Sequence, residues 1–327
     1  MSDNTKDKKD IKTALKKVNW KSPIISTLIA TIILMIIFGV INPTFWLFSN
    51  FVTILLNASV IGIFTAGMTM VMISGNIDLS TTSTAAVGVM AFAVLYTMGV
   101  PIVWGCLVGI LAATACGWIN GMLVAKAHLN SLMVTIGTQL VFRAVAYIFT
   151  DVKTVTITDE AFFAFGRMNV LGLPISVFYM LIIMAFFAYL LDSTAFGRRV
   201  YAIGGNLQAS YYSGIKIERT QIQIFTIMGA VCGFAGIVTA AQSAACAPVT
   251  LANREFDFIS PCVIGGVAMA GGKGKIIGSL IGCLLLAIVA NGMVLAGLQS
   301  YWQNLVKGLI LIFAMWVDAI RNKQNLA

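Results

Sequence analysis

The sequence predicts an all-α, polytopic membrane protein of about ten transmembrane helices, and three observations predict it. The composition is 59% apolar and only 10% charged, with a mean hydropathy of +0.93, whereas soluble domains carry roughly 25% charged residues. Apolar runs repeatedly approach or exceed the roughly 17 to 25 residues that cross a bilayer as helix, and the ten-residue alternation of barrel strands is absent. Basic residues gather in every second loop, the pattern that membrane insertion leaves on cytoplasmic segments.

Taken in order, the first 21 residues carry seven lysines (Lys6, Lys8, Lys9, Lys12, Lys16, Lys17 and Lys21) and three aspartates, so 1–23 reads as a solvated basic tail. The apolar run 24–41 ends in Asn42-Pro43 followed by aromatics rather than a small-residue cleavage site, and so reads as an uncleaved first span. Further runs bounded by Pro, Gly or charge lie at 51–73, 81–98, 101–125, 132–149, 174–191, 222–241, 257–270, 276–298 and 302–318. The run 257–270 is too short to cross comfortably and is expected to be tilted, re-entrant or a half helix. Residues 319–327 form a second short tail.

With the amino terminus inside, ten crossings return the carboxyl terminus to the same side. The tail lysines, Lys126, Arg198, Arg199, Lys216, Arg219, Lys273, Lys275, Arg321 and Lys323 then fall inside. Arg143, Lys153, Arg167, Arg254 and Lys307 fall outside or nearer that face. Sixteen against five accounts for the net charge of +9 without any nucleic-acid partner.

The chain also echoes itself. Gly105-x-x-x-Gly109 leading to Asn120-Gly121-Met122 in the fourth span matches Gly278-x-x-x-Gly282 leading to Asn291-Gly292-Met293 in the ninth, and Asp78-Leu79-Ser80 before the third matches Asp257-Phe258-Ile259-Ser260 at the eighth. An odd offset of five spans makes the halves 24–149 and 174–318 an inverted repeat.

Several chemistries are missing. Of the acidic residues only Asp78, Asp257 and Asp318 touch span margins, so no carboxylate relay of the kind that drives ion-coupled carriers is evident. His128 stands alone, and the six cysteines are scattered singly rather than paired as in metal or redox motifs. The stretch 266–274 fails as a phosphate-binding loop, because Val267 occupies the first glycine position and Gly274 the hydroxyl position. No cofactor is expected on this chain. An ion-coupled secondary carrier remains the alternative class, and sites built from backbone carbonyls and hydroxyls would serve it.

The inside segment 192–221 is long for a plain connection. Within it Asn206 is a good helix cap and Gly214 a good helix stop, which predicts about two turns of helix on the cytoplasmic face carrying Ala209, Tyr211, Tyr212 and Ser213. Such a helix suits a groove on a partner protein, or a seat on the lipid headgroups. The turn Gly75–Ser80 is expected to cap the third span, with Asp78 accepting amide hydrogens beside Asn76 and Ser80. Asn57, Thr65, Thr69 and Gln139 are candidates for the wall of a polar path, with hydrogen bonding between helices as their simpler role.

Between about Phe45 and Asp318 a series of motifs resembles the permease subunits of bacterial ATP-binding-cassette importers for monosaccharides, the ribose, xylose, arabinose and galactose type. The motifs are Gly75-Asn76-Ile77-Asp78-Leu79-Ser80, Gly121-Met122-Leu123-Val124-Ala125-Lys126, Thr135-Ile136-Gly137-Thr138, Phe196-Gly197-Arg198-Arg199, Ser213-Gly214-Ile215, Val263-Ile264-Gly265-Gly266 and Gly271-Gly272-Lys273-Gly274. The resemblance implies a pair of permease chains in the inner membrane, a separate cytoplasmic ATPase that uses ATP and Mg²⁺, and an extracytoplasmic sugar-binding protein. It implies that Gly205 to Ile215 is the helix that couples to the ATPase, although Leu207 and Gln208 stand where the family commonly has acidic residues. Arg254, Glu255 and Asp257, in a stretch that departs from the usual reading, become candidates for receptor contact. Related permeases serving inositol, autoinducer-2 or nucleosides share these motifs.

Overall fold

The computed structural model describes residues 23–324, with the backbone alone for Ser300 and 317–324. The basic amino-terminal tail and the final three residues lie outside the described residues. The helices are α1 (Pro23–Ile41), α2 (Phe48–Ile73), α3 (Thr81–Thr97), α4 (Ile102–Ala125), α5 (Ser131–Thr150), α6 (Glu160–Arg167), α7 (Ile175–Ser193), α8 (Ala195–Gly205), α9 (Leu207–Tyr212), α10 (Ile217–Ser243), α11 (Glu255–Ile264), α12 (Ile276–Leu295) and α13 (Ser300–Gln324). Two small antiparallel pairs, β1 (Val155–Thr156) with β4 (Ala245–Cys246) and β2 (Asn169–Val170) with β3 (Leu173–Pro174), tie loops together. Among the described residues seven helices are long and apolar enough to cross a membrane, and α3 is a shorter apolar helix of 17 residues. A helix stands at each of the ten predicted spans. The chain is a multi-pass membrane protein.

The loops that carry Lys126, Arg198, Arg199, Lys216, Lys273 and Lys275 meet on one side, called here the basic face. The amphipathic helix α6, which the sequence reading left as loop, lies on the other side. Its cap is Asp159, whose carboxylate accepts from the Ala161 and Phe162 amides, and its Phe162 stacks on Phe92 of α3 at 4.9 Å.

Burial separates the helices into an inner and an outer set. Of their apolar windows, α10 and α12 bury 72% against 17% for α1, so the first two form the centre and the last faces lipid. Nearly every residue of α3 from Thr81 to Ala93 is also buried, walled by α4, α5 and α10. These inner helices are rich in Gly, Ala, Ser and Thr. Small residues let backbones approach, and the hydroxyls return their hydrogen bonds to carbonyls of their own helix or a neighbour.

The internal duplication is visible in the packing. The crossing of α4 with α10 has its inverted counterpart in α2 with α12; α3 sits on α4, α10 and α5 as α11 sits on α12, α2 and α13. The paired Gly-x-x-x-Gly motifs serve the same contact in each half. A Cβ on Gly88 of α3 would meet the Gly109 carbonyl of α4 at 2.7 Å, and a Cβ on Gly278 of α12 would overlap the Gly265 carbonyl at the end of α11. The leading helices differ, because α1 packs on α12 whereas α7 packs on α2.

The eighth span departs from a full crossing. Helix α11 has ten residues, about 15 Å of rise, and then gives way to a glycine-rich segment, 265–275, along the basic face. The connection before it, 247–254, turns through two left-handed non-glycine residues, Leu251 and Asn253, which brings the start of α11 into the interior. This is a half helix buried in protein, the arrangement that permits irregular backbone at membrane depth.

Candidate functional site

On the basic face α8 and α9 project as a bent arm. Thr194 caps α8, and Gly205 ends it. Asn206 begins α9 by accepting the Ala209 amide at 2.9 Å. The helix ends in a Schellman motif: the Gly214 amide reaches Tyr211 O, the Ile215 amide reaches Ser210 O at 3.1 Å, and Gly214 adopts the φ of +77° that favours glycine. Ser210 is buried on this helix, while Leu207, Ala209, Tyr211, Tyr212 and Ser213 face outward; Tyr212 is 81% exposed. Beside α9 lies a cleft of about 830 Å³ whose wall includes Asn76, His128, Ser131, Leu207, Tyr211 and Glu218.

The arm is tied to the bundle through backbone. Gly204 packs directly on the end of α2, where a Cβ would overlap the Ile73 carbonyl oxygen, and that same oxygen accepts the Gly272 amide at 2.8 Å. Gly271 lies against Gly75, and Gly272 against Gly205. Tyr201 of α8 donates to Gly274 O at 2.8 Å, and burial pushes its phenol above the usual range. Three separate stretches of chain, near 73–75, 201–205 and 271–274, are therefore joined by direct contact. Gly265 and Gly266 stand at the α11 end of the same segment, the first against Gly278 and the second against Pro23.

Next to this junction the turn 74–80 is organised by Asp78, which is 2% exposed. Its Oδ1 accepts the Ser80 amide at 2.9 Å and the Ser80 hydroxyl at 2.7 Å, and Ser80 Oγ in turn accepts from Asn120 Nδ2 of α4 at 2.8 Å. Asn76 bonds Ser74 within the turn. Asp78 thus fixes the start of α3, and among the described residues its hydrogen bonds are local, with no ion pair to a second charge.

A polar cluster lies near the middle of the bundle. Glu255, 5% exposed at the start of α11, accepts from Thr82 Oγ1 of α3 at 2.5 Å and from Gln139 Nε2 of α5 at 2.8 Å. Arg143 donates to Thr82 at 3.0 Å and to Pro248 O at 2.7 Å. Gln139 stands eight residues into α5, so the cluster is about 12 Å from the basic face of a bilayer core about 30 Å thick. Among the receptor-contact candidates Glu255 is therefore interior. Asp257 is also turned inward, held by Arg254 Nε at 2.8 Å and Lys307 Nζ of α13 at 2.9 Å. Sequence reasoning placed Glu255 in an outside loop as a receptor contact and gave Arg143 no role, because no periodicity reveals that the connection before α11 folds inward.

The path candidates divide. Thr65 and Thr69 are wholly buried between helices: Thr69 donates to Ser279 Oγ of α12 at 2.7 Å, and Thr65 lies 3.5 Å from Phe258 O of α11. Asn57 instead lines a cavity of about 350 Å³ on the half away from the basic face, together with Gln242, Asp257, Asn291 and Lys307. Among the described residues no three His, Cys, Asp or Glu side chains are grouped to hold a metal ion.

Comparison with known proteins agrees with this architecture. The chain is 36% identical to the L-arabinose transport system permease protein AraH of Escherichia coli K12, over 90% of each chain. It is 33% identical to the ribose import permease protein RbsC of Bacillus subtilis, over 88% of this chain and 89% of that one. The E. coli K12 RbsC is 34% identical over 89% and 92%. No solved structure matches the chain. Residues 50–315 match the family described as branched-chain amino acid transport system / permease component, and with that match covering most of the bundle, the chain belongs to this family of transport-system permeases.

Proposed function

We propose that this chain is the membrane-spanning permease subunit of an ATP-binding-cassette importer that moves a monosaccharide or related polyol across the bacterial cytoplasmic membrane. The observation that carries the proposal is the relatedness, along nearly the whole chain, to permeases named for ribose and arabinose. The chain hydrolyses nothing itself; ATP and Mg²⁺ belong to a separate ATPase subunit, and a soluble receptor delivers the solute. A second copy of the chain or a close paralogue completes the translocation unit. The charge bias of the loops supports a cytoplasmic basic face with both termini on that side.

In this reading Gly205 to Ile215 enters a groove on the ATPase. Closure of the ATPase displaces α9, and the junction at Gly204, Ile73 and Gly272 transmits the movement both to the Asp78 turn and to the segment leading into α11. The bundle then alternates between faces as rigid groups of helices. An ion-coupled carrier is disfavoured because Asp78 and Glu255 accept from uncharged donors at separate places rather than being arranged as a file of titratable groups.

The test is uptake of labelled pentoses and hexoses by vesicles with and without co-expressed partners. Transport is expected only when the ATPase and receptor are present; uphill uptake by the chain alone sinks the proposal. Gly214→Trp is expected to leave membrane insertion intact while reducing uptake at least tenfold for a given rate of ATP hydrolysis.

A further inference from the structure

Helices α1 and α13 both pack on α12 and leave between them a groove of about 320 Å³, floored by Leu285 of α12 and by the end of α11. One wall is the α1 stripe Pro23, Thr27, Ala30 and Leu34; Phe313 of α13, 62% exposed, stands on the other side, so the groove opens sideways to lipid. The hydroxyls on the α1 wall are turned back on the protein. Ser26 donates to Pro23 O at 2.8 Å and Thr27 to Ile264 O at 2.7 Å, which leaves mainly hydrocarbon for an occupant. Leu34 stands eleven positions after Pro23, about 16 Å of helix rise. In a hydrocarbon core about 30 Å thick, the groove therefore runs from the basic face to the midplane, the depth of one leaflet.

The charge around its mouth has one sign. Lys273 and Lys275 are exposed, and among the described residues neither has an ion-pair partner. Contacts of their segment bring them to the start of α1: a Cβ on Gly266 would meet Pro23 at 2.5 Å, and one on Gly278, a turn after Lys275, would lie 3.3 Å from Ile24 Cγ1. Lys16, Lys17 and Lys21 precede Pro23 in the sequence, and α13 carries Arg321 and Lys323 in its final turns. Across 11–22, 265–275 and 315–327 there are eight bases against one acid, Asp318. Membrane insertion accounts for the sign of these charges. It does not account for an apolar slot of one-leaflet depth that ends among them. An occupant must be hydrocarbon over about 16 Å and anionic at one end, which a sugar, the lysine-rich tail and a neutral lipid each fail to be.

We propose that this groove is a binding site for an anionic phospholipid of the leaflet at the basic face. One acyl chain lies between α1 and α13, and Lys273 and Lys275 hold the phosphate headgroup. The bound lipid then sits against the segment 265–275, to which the arm is tied through Gly271 and Gly272.

The full-length chain, purified in detergent, is titrated with dioleoylphosphatidylglycerol or dioleoylphosphatidylcholine, and bound lipid is counted by native mass spectrometry. One phosphatidylglycerol per chain is expected to bind at least tenfold more tightly than phosphatidylcholine. Lys273→Gln with Lys275→Gln, both at exposed positions, is expected to weaken phosphatidylglycerol about fivefold for each lysine removed, with the melting temperature of the lipid-free chain unchanged. Ala30→Trp, which fills the slot from a half-buried position, is expected to abolish the first phosphatidylglycerol; should that variant fail to fold, the lysine pair decides alone. Equal affinity for the two lipids, or phosphatidylglycerol binding unmoved by the lysine pair, overturns the site. A folded Ala30→Trp chain that keeps its first phosphatidylglycerol does the same. So does a lipid-free dimer that Ala30→Trp dissociates, since a second copy then fills the groove.

Discussion

The two equivalent crossings of the inverted halves are built from different materials. Where α4 crosses α10, backbone touches backbone: a Cβ on Gly229 would lie 2.5 Å from Ala113 O and 2.9 Å from Gly117 Cα. Where α2 crosses α12, side chains intervene, with the Thr69 hydroxyl on Ser279 and the Cys283 thiol on the Ala58 carbonyl at 3.4 Å. The first contact has no slack, since neither partner can rotate away. The second is a set of individually weak, exchangeable bonds beside the polar cavity. The difference assigns the fixed frame to α4 and α10 and the adjustable wall to α2 and α12.

The sharpest way to break that contrast is Gly229→Leu. Its side chain meets backbone on α4, and the expected cost is about 3 kcal/mol or more of overpacking, read as loss of monodisperse protein after detergent extraction and a lowered melting temperature. A normal melting curve would show that the frame yields. The half helix offers an intermediate test. Glu255→Leu leaves the donors of Thr82 and Gln139 buried without an acceptor, at an expected cost of about 1–3 kcal/mol, whereas Glu255→Gln keeps an acceptor oxygen and should cost less. Equal destabilisation by the two would assign the effect to charge with Arg143, and a double-mutant cycle with Gln139→Ala would apportion it. The smallest effect is expected at the polar crossing. Thr69→Val removes one hydrogen bond between membrane helices, about 0.6 kcal/mol, and should leave the melting curve almost unmoved while altering transport rate. A loss as large as that of Gly229→Leu would erase the distinction between the two crossings.

The helices were legible in the sequence because lipid imposes a length and a composition, and each apolar run announces itself. The arm was legible for a local reason as well: Asn206 and Gly214 are cap and stop in the sequence and in space. Helix α8 was not, since Gly197, Gly204 and Gly205 argue against a helix that tertiary contact then enforces. The interior position of Glu255 was not legible for a deeper reason. Its burial depends on partners more than a hundred residues away, Thr82 and Gln139, and on an inward-folded connection whose left-handed residues are not glycines. The short run at 257–270 signalled an irregular crossing, but only the packed bundle reveals that α11 occupies half the depth.

A ten-residue segment with Glu255 and Asp257 in its first turn is a poor candidate for entering lipid by itself as it leaves the ribosome. The donors that make its depth tolerable are presented by α3 and α5, made earlier, and by Lys307, made later. The depth of α11 therefore depends on residues made both before and after it, and a chain interrupted before residue 307 would leave Asp257 without one of its two counter-charges.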